Sequence, residues 1–418
     1  MEKCKEEFSQ YITSGKTFVR WLIISVLMGL LVGGFSSIFS RAMTIATEFR
    51  VTHGYIVFLL PLGGLIIVGL YHICNMRDDR GTNTVLANIH AQSEIPFRMA
   101  PLIFISTVIT HLFGGSAGRE GAALQLGGSI GNKLGRIFKF DDEDRRVMVM
   151  CGMSAAFSAL FGTPMAAAVF PMEMVSVGVM YYAALFPCVF SSIIATKFAA
   201  TMGIDPAAYS ILSIPSLTLS SGGKIVILSI LCAIISAIFC IILHGTSELY
   251  QRYIKNQYLR VLTGGALIII LTLLIGSRDY LGAGTDIIGR AIGGQALPLA
   301  FVFKMLFTAL TLGSGFKGGE IVPSFFVGAT FGCIVGQLLG VSPSLCAAVG
   351  MIGVFCGVTN CPISSMLISF ELFGFKGSVY FLMAVAVSYM LSGYYGLYKD
   401  QVIVYSKYKA RYVNKKVR

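Results

Sequence analysis

Long uncharged apolar runs dominate the chain. Residues 21–40, 55–75, 99–118 and 225–243 contain no Asp, Glu, Lys or Arg, and residues 321–370 continue for fifty positions without one. A helix needs roughly 20 apolar residues to cross the hydrocarbon core. Only helices and closed barrels satisfy their backbone there. Barrel strands alternate apolar and polar positions, and these runs do not. The pattern predicts an all-α polytopic membrane protein.

Composition agrees: 55% of the 418 residues are hydrophobic and 12% charged, against about a quarter charged in ordinary globular domains. The net charge of +12 flanks the apolar spans, so it reads as an orientation signal and not as a nucleic-acid surface. Lys3, Lys5, Lys16 and Arg20 mark one end; Lys399, Lys407, Lys409, Arg411, Lys415, Lys416 and Arg418 mark the other. Both ends are therefore expected in the cytosol, with an even number of crossings. The segment after Arg20 is too long for a signal peptide and is read as a retained span. Ten cysteines, from Cys4 to Cys361, form no CxxC pair, and five histidines show no HExxH spacing. Buried free thiols and no metal site or cofactor are the expectation.

The chain repeats itself. Gly152-Met153, Phe157, Pro164 and Glu173 recur 198 residues later as Gly350-Met351, Phe355, Pro362 and Glu371, and Gly115-Ser116 recurs as Gly313-Ser314. The reading is a cytoplasmic segment 1–20, a first membrane repeat 21–205, a linker 206–224 rich in turn residues, a second repeat 225–398 and a basic cytoplasmic tail 399–418. Glu173 and Glu371, at matched positions, mark helix ends or structural contacts.

Each half carries a glycine-rich break: Gly114-Gly115-Ser116-Ala117-Gly118-Arg119-Glu120-Gly121 and Gly313-Ser314-Gly315-Phe316-Lys317-Gly318-Gly319-Glu320. Such glycine density interrupts a helix and lets backbone approach a ligand closely. A helix starts after each break, and a helix start offers unpaired N–H groups and about half a positive charge. Two such ends make an anion site that binds without holding too tightly. A carboxyl at membrane depth is costly to leave ionised and is by default functional. Ionised, Glu120 blocks the anion site; protonated, it leaves and carries a proton. The structural alternatives are an ion pair of Glu120 with Arg119, disfavoured because adjacent residues at a helix start point apart, and a pair of Glu320 with Lys317.

These motifs resemble the CLC family of chloride channels and anion/proton antiporters. Gly118-Arg119-Glu120-Gly121 is similar to its GREGP segment, with Ala122 in place of proline, and Gly318 to Pro323 to its GxFxP segment. Gly152-Met153-Ser154-Ala155-Ala156-Phe157 fits its middle, and Val404-Tyr405-Ser406 resembles the stretch that supplies a central tyrosine. The resemblance implies two inverted repeats with broken helices meeting at the midplane, a homodimer in the lipid bilayer of the plasma membrane, and one pathway per subunit. It places the anion against Gly118, Arg119, Gly121, Ile321 and Val322, with Thr82 and Asn83 where the family has GSGIP, and Tyr405 on the inner side. Met174 stands at the inner-glutamate position of many chloride members, while Glu320 replaces an apolar residue.

That pattern is similar to the fluoride/proton antiporter subgroup. Fluoride is a strong hydrogen-bond acceptor that needs strong donors to offset its desolvation, and a protonated Glu320, Thr82 or Asn83 supplies them. The alternative is a chloride/proton antiporter or chloride channel of the same fold. A membrane enzyme using Glu120 and Glu320 as acid and base is set aside because no GxSxG elbow, His-rich cluster or GxxxxGK[ST] phosphate loop is read in the chain, so no enzyme activity is expected.

Overall fold

The structure is a computed structural model that describes residues 2–91 and 94–417, with side chains from Ser14 onward apart from Ala91. Lys3, Cys4 and Lys5 of the basic N-terminus and Arg418 lie outside the described side chains. Sixteen α-helices account for most of the described chain, and six stretches are long and apolar enough to cross a membrane. The first helix, α1 (Glu2–Thr52), runs unbroken through residue 20, so the polar segment and the first apolar run share one helix.

The two repeats are visible as matched series of helices. In the first, α4 (Met99–Leu112) leads through a break to α5 (Glu120–Ile137), α6 (Asp142–Phe161) and α7 (Pro164–Val175). In the second, α12 (Ala300–Ser314) leads through a break to α13 (Ile321–Leu339), α14 (Pro343–Thr359) and α15 (Pro362–Phe373). Helices α7 and α15 lie 198 residues apart at both ends, whereas α5 and α13 start 201 apart. The difference is close to one helical turn added at the start of α6, where Asp141 caps the helix by accepting from Asp144 N at 2.8 Å. The match of Gly115-Ser116 to Gly313-Ser314 is thus out of register: the first pair lies in the break, the second ends α12.

Helices α6 and α14 both stop at a residue in the left-handed region, Gly162 (φ 70°) and Asn360 (φ 59°). Two residues on, Pro164 or Pro362 opens the next helix, where its missing N–H costs nothing. Helices α7 and α15 then exchange caps. Glu173 Oε1 accepts from Ile363 N (2.9 Å) and its Oε2 from Ser364 N (2.8 Å) and Ser364 Oγ (2.7 Å). Glu371 accepts from Met165 N (2.7 Å) and Ala166 N (3.0 Å). Each acid sits near the end of its own helix and at the start of the other, so the pair is antiparallel and two-fold related, as inverted repeats require. Helices α5 and α6 meet at Gly127 and Gly152, and α13 and α14 at Gly328 and Gly350, where an added Cβ would strike a backbone carbonyl. Close helix contact through small residues is how membrane helices pack.

The segment between the repeats ends earlier than residue 224, because α9 (Leu219–Tyr253) begins with a capping box between Thr218 and Ser221. The tail departs from a purely helical picture. Val402–Tyr405 (β2) pairs in parallel with Ser176–Val177 (β1) and antiparallel with Tyr412–Lys416 (β3). Gln401 fastens this sheet to the helix ends, donating to Met174 O (2.9 Å) and Thr359 O (2.8 Å).

Candidate functional site

The two breaks meet backbone to backbone. Gly118 N donates to Gly319 O at 2.7 Å and Gly319 N to Gly118 O at 2.8 Å, an isolated antiparallel bridge. Only glycines permit it: a Cβ on Gly318 would strike Ala117, and one on Gly319 would lie 2.5 Å from Gly121 N. Ser116 anchors the first break to α12. Its N–H donates to Thr311 Oγ1 (3.0 Å) and its hydroxyl bonds Thr308 Oγ1 (3.0 Å). Gly114 to Gly118 does spell the GxSxG spacing of a hydrolase elbow, so the reading that no such spacing occurs is wrong. A fully buried Ser116 held by two threonines is an anchor and not a presented nucleophile.

Three helix starts converge here. Glu120 and Gly121 open α5, Ile321 and Val322 open α13, and Thr82 opens a short helix, α3 (Thr82–Ala91), after Gly81 (φ +61°) turns the chain. Thr82 Oγ1 lies 3.4 Å from Gly121 O and accepts from Gln125 Nε2 at 3.2 Å. A Cβ on Gly121 would meet Gly319 Cα at 3.0 Å and Glu320 Oε2 at 3.3 Å. Glu320 therefore sits directly against the start of α5, one residue from Glu120. Converging helix starts concentrate amide donors and positive potential.

The two acids open into different cavities. One cavity of 530 Å³, called outer because the basic tail does not line it, has Glu120 and Arg119 on its wall, with Val322, Phe325, His111 and Tyr209. An inner cavity of 530 Å³ has Glu320, with Thr82, Asn83, Gln125, Lys317 and Tyr398. They share no lining residue; the bridged breaks lie between them. Glu120 is 3% exposed. Its Oε2 accepts from Arg119 N at 2.9 Å, and its Oε1 lies 3.6 Å from Arg119 Nε. Glu320 Oε2 has no hydrogen-bond partner among the described residues.

Several expectations need correction. Arg119 and Glu120 do not point apart: the side chains pair, because the arginine curls back over the helix start while also donating to Ser40 Oγ (2.9 Å). Arg119 thus faces the outer cavity as a partner of Glu120. Lys317 does not pair with Glu320; it binds the fully buried Asp79 at 3.0 Å and lies 4.2 Å over the Tyr71 ring. Tyr405 is not on the pathway. Strand β2 carries it to the surface, 48% exposed against Tyr412 and Gly178, and it lines neither cavity. Two other tyrosines line the inner cavity, Tyr71 and Tyr398; Tyr398 is 1% exposed, and neither hydroxyl has a partner among the described residues. Asn83 lines the inner cavity, but its Oδ1 accepts from Asp400 N at 3.0 Å, so it ties the tail to α3. Missed altogether were Gln125, His111 and the fully buried Lys304, which donates to Tyr280 O (3.2 Å) and Gly282 O (2.6 Å). A lysine and a histidine inside apolar helices were the available signals.

A family model described as "Voltage gated chloride channel" matches residues 63–393. A chloride/fluoride channel protein of Pseudomonas syringae pv. tomato is 36% identical over 396 residues, covering 93% of this chain and 88% of the relative. An H(+)/Cl(-) exchange transporter, ClcA, of Vibrio cholerae serotype O1 is 25% identical over 402 residues, covering 88% of this chain and 85% of its own. The solved structure of a CLC-type fluoride/proton antiporter superposes with a TM-score of 0.88 at 29% identity, over 92% of this chain and 98% of that one. Matched across most of its length by the family model, and built on the same pair of interrupted helices, the chain belongs to the voltage-gated chloride channel family, the CLC proteins.

Proposed function

We propose that this protein is a fluoride/proton antiporter that exports fluoride without chemical conversion of any substrate. The observation that carries the reading is the placement of Glu120 and Glu320 on separate cavities either side of one pair of bridged helix breaks. In this reading the anion passes between the starts of α3, α5 and α13, where Thr82 Oγ1 accepts from Gln125 Nε2 and spends its own hydrogen only on a long 3.4 Å contact to Gly121 O, from which it turns toward an anion. Ionised Glu120 occupies the outer end of that passage; protonated from the outer cavity, it leaves the passage, and the proton it has taken up moves inward in exchange for fluoride. Glu320, whose Oε2 has no hydrogen-bond partner among the described residues, donates to fluoride from the inner end when protonated. Fluoride loses strong hydration on entry, and strong donors offset that loss. Both the P. syringae relative and the superposed antiporter are named for fluoride, which favours this anion.

The second reading, a chloride/proton exchanger, is favoured by the V. cholerae relative. Liposomes holding the purified protein, followed with fluoride and chloride electrodes and a pH probe, separate the two. Fast fluoride release with proton uptake is expected. Chloride release with little fluoride movement overturns the fluoride reading, and no anion flux at all overturns transport. The same proposal includes a homodimer in the bilayer of the plasma membrane, with both basic ends in the cytosol.

A further inference from the structure

The outer cavity contains a group that the transport cycle above does not use. His111, near the end of α4, is 2% exposed and stands on the cavity wall with Glu120. Its Nδ1 lies 3.0 Å from Thr107 O. A carbonyl oxygen only accepts, so Nδ1 carries the hydrogen and donates. In the neutral ring the lone pair is then on Nε2, and Nε2 is buried with no partner among the described residues. A buried polar atom left alone costs free energy and is a reason to look for an absent partner.

The partner that fits is a neutral donor. The charges acting on the ring are those of Arg50 from α1, Lys304 from α12 and Arg119 from the break, all cations. Arg50 also donates to His111 O. Further positive charge on the ring is unfavourable there, whereas a ring that accepts a hydrogen bond is not. Around Glu120 the charged neighbour is Arg119, with Glu320 beyond Gly121 and the Tyr209 hydroxyl facing it from the linker. Asp279 and Asp286 also line the cavity, with Asp279 paired to Arg290. Protonation removes the charge that holds Glu120 to Arg119 and gives it an O–H in need of an acceptor.

We propose that His111 Nε2 is the latch for the protonated gate: when Glu120 takes a proton and swings into the outer cavity, its O–H donates to His111 Nε2. The inference rests on the antiport reading and assigns His111 a positioning role within it. The latch stabilises the released position, so the gate opens at a higher pH than it would unaided.

The test is the pH dependence of fluoride efflux from liposomes. His111→Phe keeps a ring and removes the acceptor. Loss of one hydrogen bond lowers the released population roughly three- to tenfold, moving the pH of half-maximal flux down by about half to one unit. His111→Gln, which returns an acceptor oxygen, is expected to recover much of that shift. In a Glu120→Ala background there is no gate to latch, and the effect of His111→Phe should vanish. A half-maximal pH unchanged in His111→Phe overturns the latch, as does an equal loss of flux with and without Glu120, the result a merely structural role would give. If His111→Phe fails to fold, a structure of the Glu120→Gln variant decides instead. The substituted side chain's amide nitrogen within hydrogen-bond distance of His111 Nε2 supports the latch, and any other placement refutes it. Absence of fluoride–proton exchange in the unaltered protein would sink the antiport reading itself, a separate outcome.

Discussion

The exchanged caps of α7 and α15 make unequal demands, and that inequality is measurable. Glu173 is 6% exposed and accepts three hydrogen bonds, two from backbone N–H groups and one from the Ser364 hydroxyl. Glu371 accepts two and is partly open to solvent. Glu173→Ala strands donors of Ser364, fully buried, and of Ile363, 41% exposed, at about 1–3 kcal/mol for each that finds no new partner. The Ser364 hydroxyl can turn to its own helix, so two stranded N–H groups set the scale, roughly 3–5 kcal/mol in all. Glu371→Ala is nearer an ordinary cap loss of about 0.5–2 kcal/mol, since Glu371 is itself only partly buried and holds no side-chain hydroxyl. Glu173→Gln keeps the shape but turns an NH₂ toward a donor, and falls between. Thermal unfolding in detergent, read by loss of the monodisperse gel-filtration peak, should rank Glu173→Ala lowest, then Glu173→Gln, then Glu371→Ala. The two alanine changes share one interface, so their double mutant should not be additive. If Glu371→Ala proves the more damaging, or if Glu173→Ala melts with the parent, the caps do not hold the repeats together as described.

Other outcomes follow from the site and the tail. Glu120→Gln should abolish proton uptake while leaving fluoride release measurable, and unchanged coupling in the liposome assay removes the gating role. Glu320→Ala should depress fluoride flux by roughly tenfold or more, the loss of a strong donor at the inner end; parent-like flux contradicts it. Tyr398→Ala should alter flux and Tyr405→Ala should not, a contrast read in the same liposomes. Lys407, in the tail, is bound to Asn360 Oδ1 and Ser392 Oγ, and burial pulls its pKa down to about 8. Between about pH 8 and the ordinary lysine range near 10.4 the docked tail then binds fewer protons than a free tail, so docking should tighten as pH rises through that window and weaken as it falls. A spin label at residue 414 should become less mobile between about pH 8 and 10, and Lys407→Met should remove the dependence.

What the sequence made legible was whatever is encoded locally. Uncharged runs announce spanning helices because the bilayer imposes their length. Glycine density announces a break because its backbone cost is local. The repeat showed through at Pro164 and Pro362 because a helix start constrains those positions alike in both halves. The sites of error were contacts between distant segments. Nothing near Lys317 indicates that Asp79, far away in the chain, is its partner. Nothing near Arg119 indicates that Ser40 draws its guanidinium back over Glu120. Tyr405 was favoured on local wording, yet the sheet that turns it outward needs Ser176–Val177 from the other repeat. The extra turn at the start of α6 misled the reading of the breaks, since a match at one fixed offset cannot register an insertion between them.

The corrected register also bears on how a symmetric scaffold yields two unlike ends. With the register corrected to the 201-residue spacing of α5 and α13, Gly118 is equivalent to Gly319, the pair that bridges across the two-fold axis. Glu120 is then equivalent to Ile321 and Glu320 to Arg119. The two acids are one residue out of phase, about 100° around a helix start. Glu120 is the first residue of α5, while Glu320 caps α13 from outside it. Inversion already points the two helix starts at each other from opposite sides, and the one-residue slip decides which carboxylate faces which cavity. Had both acids occupied the same position in the repeat, the two ends of the passage would carry the same gate. Here the outer end has an acid paired to an arginine that protonation releases, and the inner end has an acid whose Oε2 has no partner among the described residues. Moving the inner acid into phase, as Glu320→Gln with Ile321→Glu, should therefore place a second blocking carboxylate at the inner end, the two-fold counterpart of Glu120, and stop flux, even though the number of buried acids is unchanged. Parent-like fluoride efflux from liposomes holding that double variant would show that the phase of the acids does not set the direction of the gate.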